Sequence, residues 1–558
     1  MSASTPKRNS FFGGAAILTA SVVVVKLIGA LYKIPLGGIL TDAGFADFNT
    51  AYNIYSLLII ISTGGLPVAL SKMVSEANAL GRVNQVKKVF TLALATFCVL
   101  GTVSFCIMAF FPNQLAGLMN DTQAANSILA LAPAVFFICP MSAMRGYFQG
   151  HAQMTPTAVS QVIEAICKLT IGLALASAFK NSMEDESMAA AGAILGVSVG
   201  CLLGAAYMYF CYRRHTRAQP ASQDQPEDSK TILVTLAKLA IPITLSSSVI
   251  ALTNILDTSI MLGRLQTALE VTEQAAREMK GVYDKALTLY NLPASFMVPL
   301  TASVIPHVSA ALKVKRRRQA AQISETTLRT TALLAIPAGV GLFVLGEPII
   351  RLLYPTTKVA EAGWMLSVLG VASIAVCFML VSNSILQAHQ MVALPMATTV
   401  IGCALKLAVG YVLIGNPDIG VRGGAISTVA CFWLIALLDL FIIKRALPRS
   451  LSMARVFVKP VGAAAAMGLS AWAVNGLAYK ALVGLKLFLA VDEDGKQMFT
   501  ESGAAILSRT GVTLSVFAAI GVAVIVYFAL VLVTRAISKE DLALIPKGEK
   551  LARILRVE

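Results

Sequence analysis

Charge is scarce in this chain. Only 13% of its 558 residues are Asp, Glu, Lys or Arg, about half the share of an ordinary soluble protein. Apolar residues make up 57%, and the mean hydropathy is +0.75. A solvated globular enzyme is excluded. Acid is scarcer than base, 29 against 45, for a net charge of +16. The basic residues stand between apolar stretches, so they read as topology signals and not as a nucleic-acid surface. Histidine occurs four times, and there is no Walker A, GxSxG or HExxH pattern. Any transport must therefore draw on a gradient, the membrane potential or a partner. The nine cysteines show no CxxC or Cys/His spacing, which predicts no disulfide framework, no metal site and no cofactor.

What is present is a succession of apolar stretches near or above the twenty residues that a bilayer demands. They fall at 11–40, 48–70, 88–111, 125–149, 156–179, 188–212, 231–263, 282–310, 326–346, 361–388, 393–415, 421–444, 456–483 and 504–535. The pattern predicts an all-α integral membrane protein of about fourteen spans. Lys7 and Arg8 precede the first stretch, which is too long for a signal peptide, lacks a small-residue cleavage site and is read as a retained span. Basic loops around Arg82, Lys87, Arg213, Arg317 and Arg445 alternate with acidic ones around Asp42, Asp47, Glu273 and Asp492. The bias places both termini in the cytoplasm.

The segment 213–230 (RRHTRAQPASQDQPEDSK) has no apolar period and reads as a flexible linker. A repeat supports a division there. Residues 145–172 resemble 383–410, aligning Gln149 with Gln387, His151 with His389, Lys168 with Lys406 and Gly172 with Gly410. Residues 65–88 resemble 299–322, with Ser71 set against Ser309. The expected organisation is a six-helix lobe at 1–212, the linker at 213–230, a second six-helix lobe at 231–445, and two further helices with a basic tail at 446–558. Six spans per lobe give both lobes the same orientation, as in alternating-access transporters.

Several charges sit inside spans. Lys26 and Lys33 are seven residues apart in the first, hence on one helical face roughly 10 Å apart along the axis. A lysine at bilayer centre costs roughly 2.5–3.5 kcal/mol, so the pair points to a hydrated cavity that receives an anion. Asp284 and Lys285 open the eighth span, which Asn291, Pro293 and Pro299 should bend. Glu164 and Lys168 stand four apart in the fifth, an order that favours a self-neutralised pair. Lys406 is the repeat-mate of Lys168 but has Gly402 where the acid would be. Asp257 and Asp439 are single intramembrane acids, each suited either to a coupling cation or to structural pairing.

The lysines in LIGALYKIPLGG, the GGLPVALSKMVSE and YDKAL stretches and the duplicated unit together resemble one family. It is the lipid II flippase and stage V sporulation protein B family of the multidrug/oligosaccharidyl-lipid/polysaccharide exporter superfamily. The resemblance covers nearly the whole chain. It implies two six-helix lobes around a central V-shaped cavity, with the last two helices beside a lipid-tail groove. It also implies transfer of an undecaprenyl-pyrophosphate-linked peptidoglycan precursor, lipid II, to the outer leaflet, with no cofactor and no enzymatic step. The resemblance sets the family's cationic positions on Lys26, within one residue on Lys33, and on Lys285, with Asp284 beside the last. The second-span arginine of Gram-negative relatives has no counterpart, because Leu58 or Ile59 stands there. That fits a Gram-positive plasma membrane. The implied partners are the lipid-linked glycan, the bilayer and the cell-wall synthesis machinery, with the chain acting as a monomer. A carrier for teichoic acid, capsule, O-antigen or spore cortex units would use the same cavity. A cation-coupled drug exporter would need carboxylates there instead.

Overall fold

The computed structural model describes residues 8–183, 185–217, 222–313, 315–391, 393–446, 453–485, 488–489 and 507–534. The acidic loop at 492–494 and the basic tail from 535 lie outside them. Thirteen helices among the described residues are long and apolar enough to cross a membrane. The protein is a multi-pass membrane protein. We number the helices used below in chain order. In the first part of the chain, α1 is Arg8–Ile39, α2 Asp42–Thr63, α3 Leu66–Ala79, α4 Val83–Phe110, α5 Ala125–Gly150, α6 Thr155–Met183, α7 Glu186–Arg217 and α8 Ser229–Ala268. There follow α9 Glu273–Tyr290, α10 Leu292–Lys313, α11 Arg317–Val344, α12 Gly346–Leu353, α13 Val359–Ala388, α14 Ala393–Ile414 and α15 Arg422–Ala446. The last two are α16 Met453–Gly484 and α17 Arg509–Val533.

The eighth apolar stretch departs from a simple span. It is split at Asn291 into α9 and α10, as the Asn-Leu-Pro sequence predicts, and the Asn291 carboxamide donates back to the Leu287 carbonyl at 2.8 Å. The first half of α9 is polar (EQAAREMK), so it does not satisfy the composition of a span. The second stretch breaks at Gly64-Gly65, with Pro67 in the first turn of α3. A Cβ on Gly65 would lie 2.1 Å from the Ala240 carbonyl, so this glycine admits the backbone of α8.

Contacts divide the chain into two compact units, Met1–Gly281 with Gly415–Pro417, and Val282–Ile414 with Asp418–Glu558. Helix α8 groups with the first unit because it packs along α2, α3 and α4. The core of that unit is aromatic, built on Tyr32, Phe45, Phe48, Tyr55, Phe90 and Tyr147. In the second unit, Tyr527 on α17 donates to the Leu333 carbonyl of α11 at 2.7 Å, and Phe378 packs on Phe457.

The repeat is visible in local geometry. Helix α5 ends at His151 and α13 at His389, and each ring Nδ1 meets the carbonyl four residues back, at 3.0 and 2.9 Å. The next residue is left-handed in both, Ala152 at φ 56° and Gln390 at φ 63°. The earlier pair of segments is duplicated in a different register. Arg82 N bonds Ala77 O and Arg316 N bonds Ala311 O, each at 2.9 Å, after left-handed Gly81 and Lys315. Ser71 therefore corresponds to Ile305 and not to Ser309. The two segment pairs differ in register by about one helical turn.

Part of the linker is bound rather than free. Asp224 accepts from the backbone N–H groups of Asn84 and Gln85, both at 2.9 Å, at the start of α4. Asn84 donates in turn to the Ser222 and Asp224 carbonyls, and Lys88 to that of Glu227 at 2.7 Å. A carboxylate on the exposed N–H groups of a helix start is favoured by hydrogen bonding and by the helix dipole. Desolvation acts to raise the Asp224 carboxyl, but the bonds from Ser222, Asn84 and Gln85 hold it below its ordinary value. Asp224→Ala should release the strap and speed tryptic cleavage between Arg213 and Lys230, read by gel. An unchanged cleavage rate would contradict the strap.

Candidate functional site

Two helices of the first unit bring lysines to one tyrosine on a third. Helix α1 carries Lys26 and Lys33, α2 carries Tyr52, and α6 carries Lys168. Lys168 Nζ lies 4.5 Å from the centroid of the Tyr52 ring and 4.9 Å from that of Tyr32. It also donates to the Tyr52 hydroxyl at 3.3 Å. Lys33 Nζ donates to Asn49 Oδ1 at 3.2 Å and stands 5.9 Å from the Tyr52 centroid. Lys26 is exposed. Aromatic faces hold ammonium groups without neutralising them. The arrangement gathers Lys33 and Lys168 at the Tyr52 ring, within the candidate membrane spans.

The scaffold behind the lysines explains their placement. Tyr32 is fully buried and donates to the Ala193 carbonyl of α7 at 3.0 Å. It fits because residue 172 is glycine, where a Cβ would lie 3.1 Å from the Tyr32 ring and 2.8 Å from that same carbonyl. Phe45, Phe48 and Tyr52 stack along α2 and fix the Tyr52 ring.

Glu164 forms its ion pair with Arg145 of α5, Nη2 to Oε1 at 2.8 Å, and Arg145 Nε donates to Ser160 at 3.0 Å. The four-residue spacing had pointed to Lys168 as the partner of Glu164. Arg145 takes the acid through Nη2 while its Nε bonds Ser160, and Lys168 turns to the tyrosines. The second repeat lacks both members of the pair, with Asn383 at the position of Arg145 and Gly402 at that of Glu164. A Cβ on Gly402 would meet Ile435 at 2.3 Å, so α15 occupies that space.

The remaining predicted residues fall as follows. Lys285 and Asp284 are buried in the second unit, with Lys285 Nζ 5.6 Å from the Tyr354 centroid. The neighbouring Tyr283 hydroxyl meets Thr428 Oγ1 at 3.0 Å. Lys406 is buried in α14, and Asp439 in α15 accepts from Thr398 at 2.7 Å. Asp257 is buried in α8.

Asp47, assigned by the charge pattern to an outer loop, lies inside α2 and is fully buried. Arg277 holds it through Nε at 2.8 Å and Nη2 at 2.5 Å, and Arg277 Nε is 3.4 Å from buried Asp121. The sequence offered little sign of this cluster, because its members are up to 230 residues apart.

A protein-family model described as polysaccharide biosynthesis protein matches residues 11–312, over half the chain. The chain belongs to the polysaccharide biosynthesis protein family. A second model, MatE, matches residues 281–412. This family member is 25% identical over 449 residues to stage V sporulation protein B of Bacillus subtilis (strain 168), across 80% of this chain and 86% of the relative. It is 26% identical over 456 residues to the lipid II flippase MurJ of the same strain, across 77% and 82%. Its fold matches a solved lipid II flippase MurJ in an inward closed conformation at TM-score 0.64 and 15% identity, across 93% of this chain and 98% of that one. Within this family member, Leu58 and Ile59 of α2 pack against the apolar core of the first unit. The polar face of α2 is neutral instead, with Asn49, Asn53 and Ser56.

Proposed function

We propose that the chain moves a lipid-linked glycan, lipid II, from the inner to the outer leaflet of the plasma membrane by alternating access. The convergence of Lys33 and Lys168 on Tyr52, with Lys26 on the same face of α1 as Lys33, carries this reading. Lysines so placed repel one another, and a pyrophosphate supplies the offsetting charge and the acceptor oxygens. The acids on the same helices, Glu164 and Asp47, already have arginine partners. A cavity of this kind disfavours cationic drugs and suits an anionic headgroup, while the polyprenyl tail stays in lipid.

In this reading the lobes at 1–212 and 231–445 rock about the headgroup, and the two last helices guide the tail. Lys285 and Asp284 contribute from the second lobe. Lys406, Asp257 and Asp439 belong to the coupling of the cycle. The basic segments support cytoplasmic termini; the reading sets the chain in a Gram-positive-type plasma membrane, as a monomer beside the cell-wall synthesis machinery. The near-equal identities to stage V sporulation protein B and to MurJ favour, as second reading, a lipid-linked glycan of spore cortex synthesis.

Depletion of the protein followed by mass spectrometry of lipid-linked intermediates tests the substrate. Lipid II should accumulate on the cytoplasmic side. Accumulation of a different lipid-linked glycan would move the assignment to that substrate.

A further inference from the structure

The polar face of α2 continues beyond the lysines. Asn49, Asn53 and Ser56 follow at spacings of four and three, hence on one side of the helix. Asn49 holds Lys33, and Asn53 stands one turn further on, roughly 6 Å along the axis. From Asn53 the face opens onto a cavity of about 400 Å³ between α2 and α8, within the range of small-molecule sites, roughly 300–1,000 Å³. Asn53 and Ser56 line one wall, Ser247 and Asn254 the other, and Ile250 and Ala251 supply an apolar floor.

The cavity is bracketed by two direct contacts between its helices. At one end Asn53 donates to Thr258 Oγ1 at 3.0 Å, and at the other Gly65 N donates to Thr244 Oγ1 at 3.0 Å. Between these contacts α8 runs fourteen residues and the α2 side twelve. Both walls thus stay in place independently of the lining hydroxyls.

Among the described residues, no charged side chain lines this space. Ser56 and Ser247 donate to carbonyls of their own helices, Tyr52 and Ile243, so their oxygens face the cavity as acceptors. Asn254 makes no hydrogen bond among the described residues and offers both donor and acceptor. Neutral donors and acceptors over an apolar floor match a saccharide, which presents hydroxyls at its edge and C–H groups on its face.

We propose that this cavity is a saccharide subsite that reads the sugar attached to the pyrophosphate held by the lysines. The inference rests on the reading of the lysine site as a pyrophosphate site. Its location gives the specificity for a particular lipid-linked glycan to neutral residues of α2 and α8, and leaves the general affinity for polyprenyl pyrophosphate to Lys26, Lys33 and Lys168.

The test uses the full chain in detergent and two probes, polyprenyl pyrophosphate alone and the same lipid bearing one N-acetylhexosamine, with binding followed by native mass spectrometry. Asn254→Leu and Ser247→Val are suitable variants, because neither side chain bonds a second helix. Wild type should prefer the sugar-bearing lipid by roughly tenfold, the effect of one or two net hydrogen bonds. Each variant should bind the bare lipid as wild type does, which also reports its folding, and should lose most of the preference. A preference retained in both variants, or absent from wild type, overturns the subsite. Lys26→Ala/Lys33→Ala should weaken both lipids alike. If that variant binds the bare lipid normally, the pyrophosphate reading falls, whatever the sugar preference shows.

Discussion

Lys26→Ala/Lys33→Ala should abolish growth support in a flippase-depleted cell while leaving the protein inserted at wild-type abundance. Each lysine costs roughly 2.5–3.5 kcal/mol to place at bilayer depth, so their removal cannot impair insertion. In the proposed reading, what disappears is most of the positive charge offered to the headgroup. Lys168 remains, but its ammonium is held between Tyr32 and Tyr52 and cannot replace two cations on another helix. Complementation with a parallel immunoblot of the membrane fraction checks both halves of the expectation. Normal growth would remove the lysine site from the account, and loss of the protein from the membrane would make it structural.

Arg277→Ala should be the most destabilising single change in the first unit. It strips the partner from Asp47 and from Asp121, both fully buried. Breaking a buried ion pair from one side costs roughly 3–5 kcal/mol, because the remaining charge is left uncompensated. Thermal unfolding monitored by size-exclusion fluorescence should show it, and Asp47→Asn in the same chain should recover part of the loss. The deficit should depend on pH. Burial raises the Asp121 carboxyl above its ordinary value, while the charges of Arg277 and Lys280 pull it down. Without Arg277 the protonated folded form is favoured further. A folded carboxyl that holds its proton more tightly than the unfolded one, near pKa 3.9, gains stability as pH falls through the folded value. The variant should thus lose most at alkaline pH and least under mild acid. A pH-independent deficit would contradict the buried-carboxylate explanation.

These residues show what the sequence could and could not convey. The spans were legible because a bilayer imposes length and composition on every helix. Lys26 and Lys33 were legible because charge inside such a stretch needs a reason. The break at Asn291 followed from local chemistry. Pairing was harder. The partner of Glu164 was a choice between Lys168, four residues away, and Arg145 on another helix, and only tertiary packing decides between them. Tyr52 carried no signal, since its relation to Lys168 spans 116 residues and tyrosines are ordinary in membrane helices. The repeat was visible in sequence, yet its register over the earlier segments was off by a turn until the left-handed Gly81 and Lys315 aligned them.

Helix α2 presents Leu58 and Ile59 to the core and neutral side chains, Asn49, Asn53 and Ser56, on its polar face. The lysines stand on α1 and α6, so in the proposed reading the first span carries most of the anion site, with Tyr52 as the surface beside it.

The most direct measurement is translocation in liposomes containing only this protein and a fluorescent lipid-linked disaccharide, with label in the outer leaflet quantified by a membrane-impermeant quencher under an imposed membrane potential. Wild type should transfer the lipid well above protein-free liposomes, and Lys26→Ala/Lys33→Ala should not. Equal transfer by both proteins, or none by wild type, would contradict the account.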